Sequence, residues 1–233
     1  MNSWPPPGIK WYYSDDYTAI AHGDCREILP TLPKVDLVLT DPPYGINAHL
    51  LQPPSNSYRK KTKRNPSKRL NAGAGKLKNR LLNNSDCGWD CQPPEQDCFR
   101  LLFELSSNQI IWGGNYFPLP PTRGILAWDK QQPWENFSQF EMGWTSFDFP
   151  AKIFRFNKSL ITGKQHPTQK PLPLMIWCIG LAGNIQTILD PFIGSGTTLR
   201  AAKDLRRKSI GIEIEEKYCE IAVKRLQQEV LAI

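Results

Sequence analysis

Short apolar runs alternate along this chain with stretches of helical periodicity, and that alternation limits the fold more than any other feature. "YTAIAHGD" (17–24), "VDLVLTD" (35–41), "NQIIWGG" (108–114), "GILAWDK" (124–130), "AKIFRFN" (151–157), "IQTILD" (185–190) and "KSIGIEI" (208–214) each read as a strand. A helical turn is expected at 25–29, and helices near 95–106, 172–182 and 197–205. In a closing helix, Ile214, Tyr218, Ile221, Ala222 and Leu226 share one face and read as core. The pattern predicts an α/β fold, a mostly parallel sheet with helices on its faces. We see no internal repeat.

The stretch from Pro42 to about Pro94 departs from this pattern. It is rich in Pro, Asn, Ser, Gly and basic residues and has little periodicity. So long a structureless stretch inside a compact domain usually signals function or disorder. Within it, Ser55 to Arg80 holds ten basic residues and no acid; without that segment the formal charge of the chain turns from +7 to −3. A block of this kind often meets a polyanion. The organisation expected is one domain over 1–233, with a basic insert at about 46–93 and a small target-recognition region at about 131–164.

Other classes recede. The chain has no long apolar run, so no membrane partner is expected, and its first residues lack a signal-peptide core. Six cysteines without CxxC spacing do not form a disulfide framework. Cys87, Cys91 and Cys98 lie near one another, but free thiols in a reducing cytoplasm account for them better than zinc does, so no metal is expected.

"LDPFIGSGTT" (189–198) points to a ligand. An apolar strand stops on Asp190, and Gly194, Ser195 and Gly196 then turn the chain into a helix. Glycines let the backbone approach a ligand, and the helix start offers unpaired N–H groups. Glu213 ends the next strand, 23 positions after Asp190, close to the offset at which an acid reaches ribose hydroxyls. GxGxxG and GxxxxGK[ST] are both missing, which disfavours pyrophosphate and triphosphate ligands and favours a nucleoside without phosphates.

"DPPYG" (41–45), "HPTQKP" (166–171) and "DPFIGSGTT" (190–198) together resemble the DNA amino-methyltransferases that act on adenine N6 or cytosine N4. With the target motif ahead of the cofactor motif, the order is that of the permuted beta group. The resemblance covers most of 19–41 and 108–226 and leaves out the basic insert. It implies a circularly permuted Rossmann-like S-adenosylmethionine-dependent fold and S-adenosylmethionine as cofactor. It further implies that Asp24 accepts from the cofactor's adenine amino group and Glu213 holds the ribose. Phe192, Gly194, Ser195, Gly196 and Thr197 would lie under the methionine part beside Asp190, and Thr168 and Lys170 would close on the cofactor carboxylate. For Asp24 the residues alone allow a second reading, a helix N-cap. His166, before a proline, could equally be structural.

The proposed chemistry accounts for DPPY. An exocyclic amino nitrogen is a poor nucleophile because its lone pair is delocalised into the ring. Two acceptors drawing on its hydrogens, the Asp41 carboxylate and the Pro42 carbonyl, would favour a pyramidal nitrogen. Pro42 and Pro43 fix φ and hold that carbonyl beforehand. Tyr44 offers an aromatic face to a base flipped out of the duplex. The basic residues that would meet phosphates are Arg59, Lys60, Lys61, Lys63, Arg64, Lys68 and Arg69. The expectation is a cytoplasmic, site-specific DNA methyltransferase acting on adenine N6. Cytosine N4, RNA, or an inactive nucleic-acid-binding homologue are the alternatives. A homodimer and a cognate restriction nuclease are further partners the resemblance leaves room for.

Overall fold

The computed structural model describes residues 3–45, 92–132, 138–160 and 169–228. Its strands are β1 (Tyr13–Ser14), β2 (Thr18–His22), β3 (Leu37–Thr40), β4 (Gln109–Trp112), β5 (Ile125–Asp129), β6 (Phe140–Thr145), β7 (Lys152–Arg155), β8 (Thr187–Asp190) and β9 (Lys208–Glu213). Its α-helices are α1 (Cys25–Ile28), α2 (Gln96–Leu105), α3 (Leu172–Leu181), α4 (Thr197–Asp204) and α5 (Glu216–Gln227). The nine described strands form one sheet in the order β1-β2-β9-β8-β3-β4-β6-β5-β7.

Five adjacent strands, β2, β9, β8, β3 and β4, run parallel. β6 is antiparallel to both β4 and β5, while β7 runs parallel to β5. Parallel strands are covered on both faces, and the central strands β3 and β4 are buried throughout. Leu37 and Leu39 of β3 pack in one core with Ile110, Trp112, Leu126 and Trp128 and with Leu174, Met175 and Cys178 of α3. Side chains alternate along a strand, so Val38 and Ile111 point to the opposite face, and they too are fully buried. A second core joins Ile20 of β2 and Leu199 of α4 to Cys219, Ala222 and Leu226 of α5. The sheet with its helices is the α/β architecture that the alternation of runs predicts.

The helix boundaries have local causes. α3 begins with Pro173 in its first turn, where the missing N–H costs nothing. α4 starts on Gly196 in the left-handed region, φ 75°. The closing helix differs from the sequence expectation: it starts at Glu216, and Ile214 lies outside it, 58 % exposed. The Glu213 carboxylate accepts the Glu215 N–H at 2.9 Å and turns the chain there before a helix can form. The buried stripe of α5 is Tyr218, Cys219, Ala222 and Leu226.

The chain divides into two compact units, Met1–Pro42 with Pro94–Ile233, and Pro43–Pro93. Within the second, Gly45 has φ 68° and a Cβ on it would collide with the Pro93 ring. Arg59, Lys60, Lys61, Lys63, Arg64, Lys68 and Arg69 lie outside the described residues, as do His166 and Thr168. The four described cysteines, Cys25, Cys98, Cys178 and Cys219, carry no disulfide. Among the described residues no helix is long and apolar enough to cross a membrane, and no cluster of three or more His, Cys, Asp or Glu could hold a metal ion.

Candidate functional site

Parallel strands bring their carboxyl ends to one edge, and here that edge collects acids. Asp24 follows β2, Glu213 ends β9, Asp190 ends β8 and Asp41 follows β3. From β8 the chain continues to its neighbour β9 on one side, and β3 has β4 on the other. Strand order therefore reverses between β8 and β3, the kind of crevice in which open α/β sheets bind small molecules. Asp190 and Asp41 flank that crevice.

Asp190 is 2 % exposed. Its Oδ1 accepts the Thr40 hydroxyl at 2.7 Å and the Phe192 N–H at 3.1 Å. Burial pushes its carboxyl up to about 6 against those hydrogen bonds, and the nearby charge of Asp41 adds to the rise. Glu213 is likewise raised by burial, and it accepts the Gly194 N–H on Oε2 and the Glu215 N–H on Oε1, both at 2.9 Å. Its carboxylate thus braces the glycine turn, and each oxygen keeps capacity for a further donor.

The turn is fastened on its other side by residues that the sequence did not single out. Arg225 of α5 donates to Thr197 Oγ1 at 2.7 Å and to Gln169 Oε1 at 2.9 Å, and the Ser195 hydroxyl donates to the same Gln169 oxygen at 3.3 Å. This links Gln169 of the HPTQKP segment to the glycine turn through a partly buried guanidinium. Burial, and then the neighbouring Arg200, lower the Arg225 pKa. A Cβ on Gly196 would lie 2.8 Å from the Ala222 Cβ, so α4 and α5 meet there at a distance only glycine allows.

Asp24 occupies the N-cap of α1, accepting the Arg26 N–H at 2.9 Å, with the Arg26 guanidinium 2.6 Å from its Oδ2. That guanidinium, then burial opposing it, leaves the Asp24 carboxyl below its ordinary value. Of the two readings open in the sequence, the geometry displays the cap.

Asp41 is paired with the ammonium of Lys170, which lies just ahead of α3. Lys170 is 4 % exposed and also sits 3.0 Å from Glu141 Oε2 at the start of β6. Glu141 Oε1 in turn meets the Lys130 ammonium at 2.7 Å. Burial alone would lower the Lys170 pKa; the Asp41 and Glu141 carboxylates outweigh it and raise it. Burial would raise Glu141, but the two ammonium groups hold it down at about 2. The resemblance supplied neither Glu141 nor Lys130, nor the pairing of Lys170 with Asp41. Pro42, which is buried, closes one stretch of the first unit, and Pro43 and Tyr44, both partly buried, open the second.

Residues 127–224, under half of the chain, match the family model described as DNA methylase. The type II methyltransferase M.HinfI of Haemophilus influenzae is 28% identical over 268 residues, covering 94% of this chain and 71% of that one. M2.LlaDCHI of Lactococcus lactis subsp. cremoris is 52% identical over 151 residues, and M2.DpnII of Streptococcus pneumoniae 34% over 152, each covering 64% of this chain. The chain spans about half the length of these last two, 52% of each. Among solved structures, the M1.HpyAVI–SAM complex superposes with a TM-score of 0.57 at 22% identity, covering 91% of this chain and all of that one. The PvuII DNA methyltransferase (cytosine-N4-specific) gives 0.55 at 16%, over 97% and 92%. The chain has the fold of the S-adenosylmethionine-dependent DNA methyltransferases.

Proposed function

We propose that this chain is a DNA amino-methyltransferase that moves a methyl group from S-adenosylmethionine to adenine N6. The observation that carries the proposal is the position of Asp41 directly across the strand-order reversal from the Asp190 turn. The match to the DNA methylase model and the type II relatives support the class. Within the group that the chain resembles, an aspartate at the head of DPPY leans toward adenine N6.

The residues at the edge fit a nucleoside cofactor. Glu213 and Asp190 are acceptors, suited to hydroxyl and amino groups, and the Lys170 ammonium is engaged with the Asp41 and Glu141 carboxylates. When bound, S-adenosylmethionine supplies an electrophilic methyl on a sulfonium sulfur. Glu213 would take the ribose, and the turn from Phe192 to Thr197 would carry the methionine part, with the backbone close by at Gly194 and Gly196. Asp41 would accept one hydrogen of the target amino group and the Pro42 carbonyl the other, localising the nitrogen lone pair toward the methyl. Preset acceptors need no reorganisation as charge develops, and alignment supplies much of the rate. The Tyr44 ring would stack on the flipped base, and the basic run at 55–80 would meet DNA phosphates.

The test is to incubate the purified chain with labelled S-adenosylmethionine and unmethylated DNA, with RNA in parallel, and to analyse the nucleosides by mass spectrometry. N6-methyladenine in DNA alone is the expected product. N4-methylcytosine would keep the mechanism and change the base. Label in RNA alone, or in neither polymer, would refute the proposal.

A further inference from the structure

Four charged side chains from four separate segments form one buried line that ends at the candidate catalytic acid. Lys130 follows β5, Glu141 stands in β6, Lys170 precedes α3 and Asp41 follows β3. Their side chains are 6 %, 20 %, 4 % and 18 % exposed, in that order. The signs alternate, and each neighbouring pair is in ion-pair contact. Because β6 runs antiparallel to β4, its first residues lie at the same edge as the carboxyl ends of β3 and β8. The line therefore depends on β6, the strand that runs in reverse between β4 and β5.

Charges are costly to bury, and packed apolar side chains of similar volume would serve stability as well or better. The geometry at Glu141 is also specific. Its Oε2 is buried, makes no well-formed hydrogen bond, and faces the Lys170 ammonium at 3.0 Å. Its other oxygen is held by Lys130, which lies 5.6 Å from the centre of the Trp128 ring in a cation–π contact. Glu141 is thus held by Lys130 on one oxygen and shares the Lys170 ammonium with Asp41 through the other. An ammonium shared by two carboxylates is restrained by both, and Asp41, paired with it, is restrained in turn.

Resting on the methyltransferase reading, we propose that Glu141 and Lys130 are positioning residues for the methyl transfer. They set Lys170, and through it the orientation of the Asp41 carboxylate that receives the target amino group. They touch neither cofactor nor base. Their effect should accordingly fall on turnover and leave binding alone, since a displacement of about 1 Å from productive geometry can cost about 100-fold in rate.

The experiment compares wild type with E141Q, the double variant K130M/E141M and K130R. Each is measured for kcat, for KM toward DNA and for S-adenosylmethionine affinity by calorimetry. E141Q alone strands two ammonium groups on one carboxylate, so a fold defect in it would not be informative. K130M/E141M removes one charge of each sign and so relieves that imbalance. The expectation is a fall of about 100-fold in kcat for both E141Q and the double variant. Cofactor Kd and KM for DNA should stay within about threefold, and K130R, which keeps the charge, should retain most of kcat. Wild-type kcat in the double variant would overturn the inference, as would a loss of kcat matched by an equal loss of cofactor affinity. A wild-type chain that binds cofactor but methylates nothing would refute the underlying functional reading, and this inference with it.

Discussion

Replacing Gly196 by alanine isolates the cost of the close approach between α4 and α5, because two other glycines provide controls. Gly196 has φ 75°, and a Cβ there would meet the Ala222 Cβ at 2.8 Å and its Cα at 3.1 Å. Gly183 has nearly the same dihedral, φ 79°, but no atom within 4 Å of an added Cβ. Gly180 lies in α3 with ordinary helical geometry and is equally unobstructed. Alanine at 180 should stabilise by about 0.5–1 kcal/mol through lower unfolded-state entropy and better helix propensity. At 183 the left-handed penalty of roughly 1–2 kcal/mol is offset in part by the same entropy gain, leaving about 1 kcal/mol of destabilisation. At 196 overpacking adds about 1–3 kcal/mol, for a total near 3 kcal/mol. In a chain of this size, about 2–4 °C of Tm goes with each kcal/mol, so G196A should melt roughly 6–12 °C below wild type. Urea titration with calorimetric cofactor binding would read both effects, and G196A should also bind S-adenosylmethionine more weakly. Equal losses for G196A and G183A would refute the packing argument, since only the shared dihedral term would then remain.

Asp41→Asn should lower kcat by about 10²–10³-fold while cofactor Kd stays within a few-fold, as steady-state kinetics with calorimetry would show. For Asp190 the direction follows from proton binding. The folded chain keeps that proton up to about pH 6 and the unfolded chain only to 3.8. Between those values the folded state binds more protons, so stability contributed by this group falls as pH rises, by about 3 kcal/mol in all. Asp190→Asn should therefore gain stability over wild type at pH 8 and not at pH 4, measured by urea unfolding at both. Glu213→Gln converts one acceptor oxygen to a donor facing a backbone N–H, and should raise the cofactor Kd about tenfold by loosening the turn. Deleting 55–80 should weaken DNA binding at low salt and leave cofactor affinity unchanged; intact DNA affinity would sink that role for the segment.

The parts of this architecture that were legible in the sequence are those written by local rules. Alternation and helical spacing located the strands from Thr18–His22 to Lys208–Glu213 and the helices at Gln96–Leu105, Leu172–Leu181 and Thr197–Asp204 within a few residues. β6 was not read, because Phe140–Thr145 lies in an aromatic stretch and becomes a strand by slotting between β4 and β5. The same blindness hid Glu141 and Lys130. Nothing in the neighbourhood of either names a partner, and the line of charges exists only once four distant segments meet. Ile214 was placed in a helix that begins two residues later because its spacing fits, whereas the Glu213 carboxylate, accepting the Glu215 N–H, ends that possibility. Asp24 sits before a helical turn, so the sequence allowed both a cap and a ligand contact. The cap is what the local geometry displays.

The pairing of β3 has a consequence for how the chain comes to be folded. Both its neighbours are downstream: β4, and then β8, whose Asp190 stands 150 positions after Thr40. Contacts over such separations close slowly, since the loop entropy is lost before the contact repays it. While the chain is being synthesised, the apolar LVLT strand must wait for its second partner with an open hydrogen-bonding edge. Until Thr187–Asp190 has emerged, neither the glycine turn that follows it nor its placement beside Asp41 can exist. A chain interrupted before that point would present this edge to other chains, and aggregation is its expected fate.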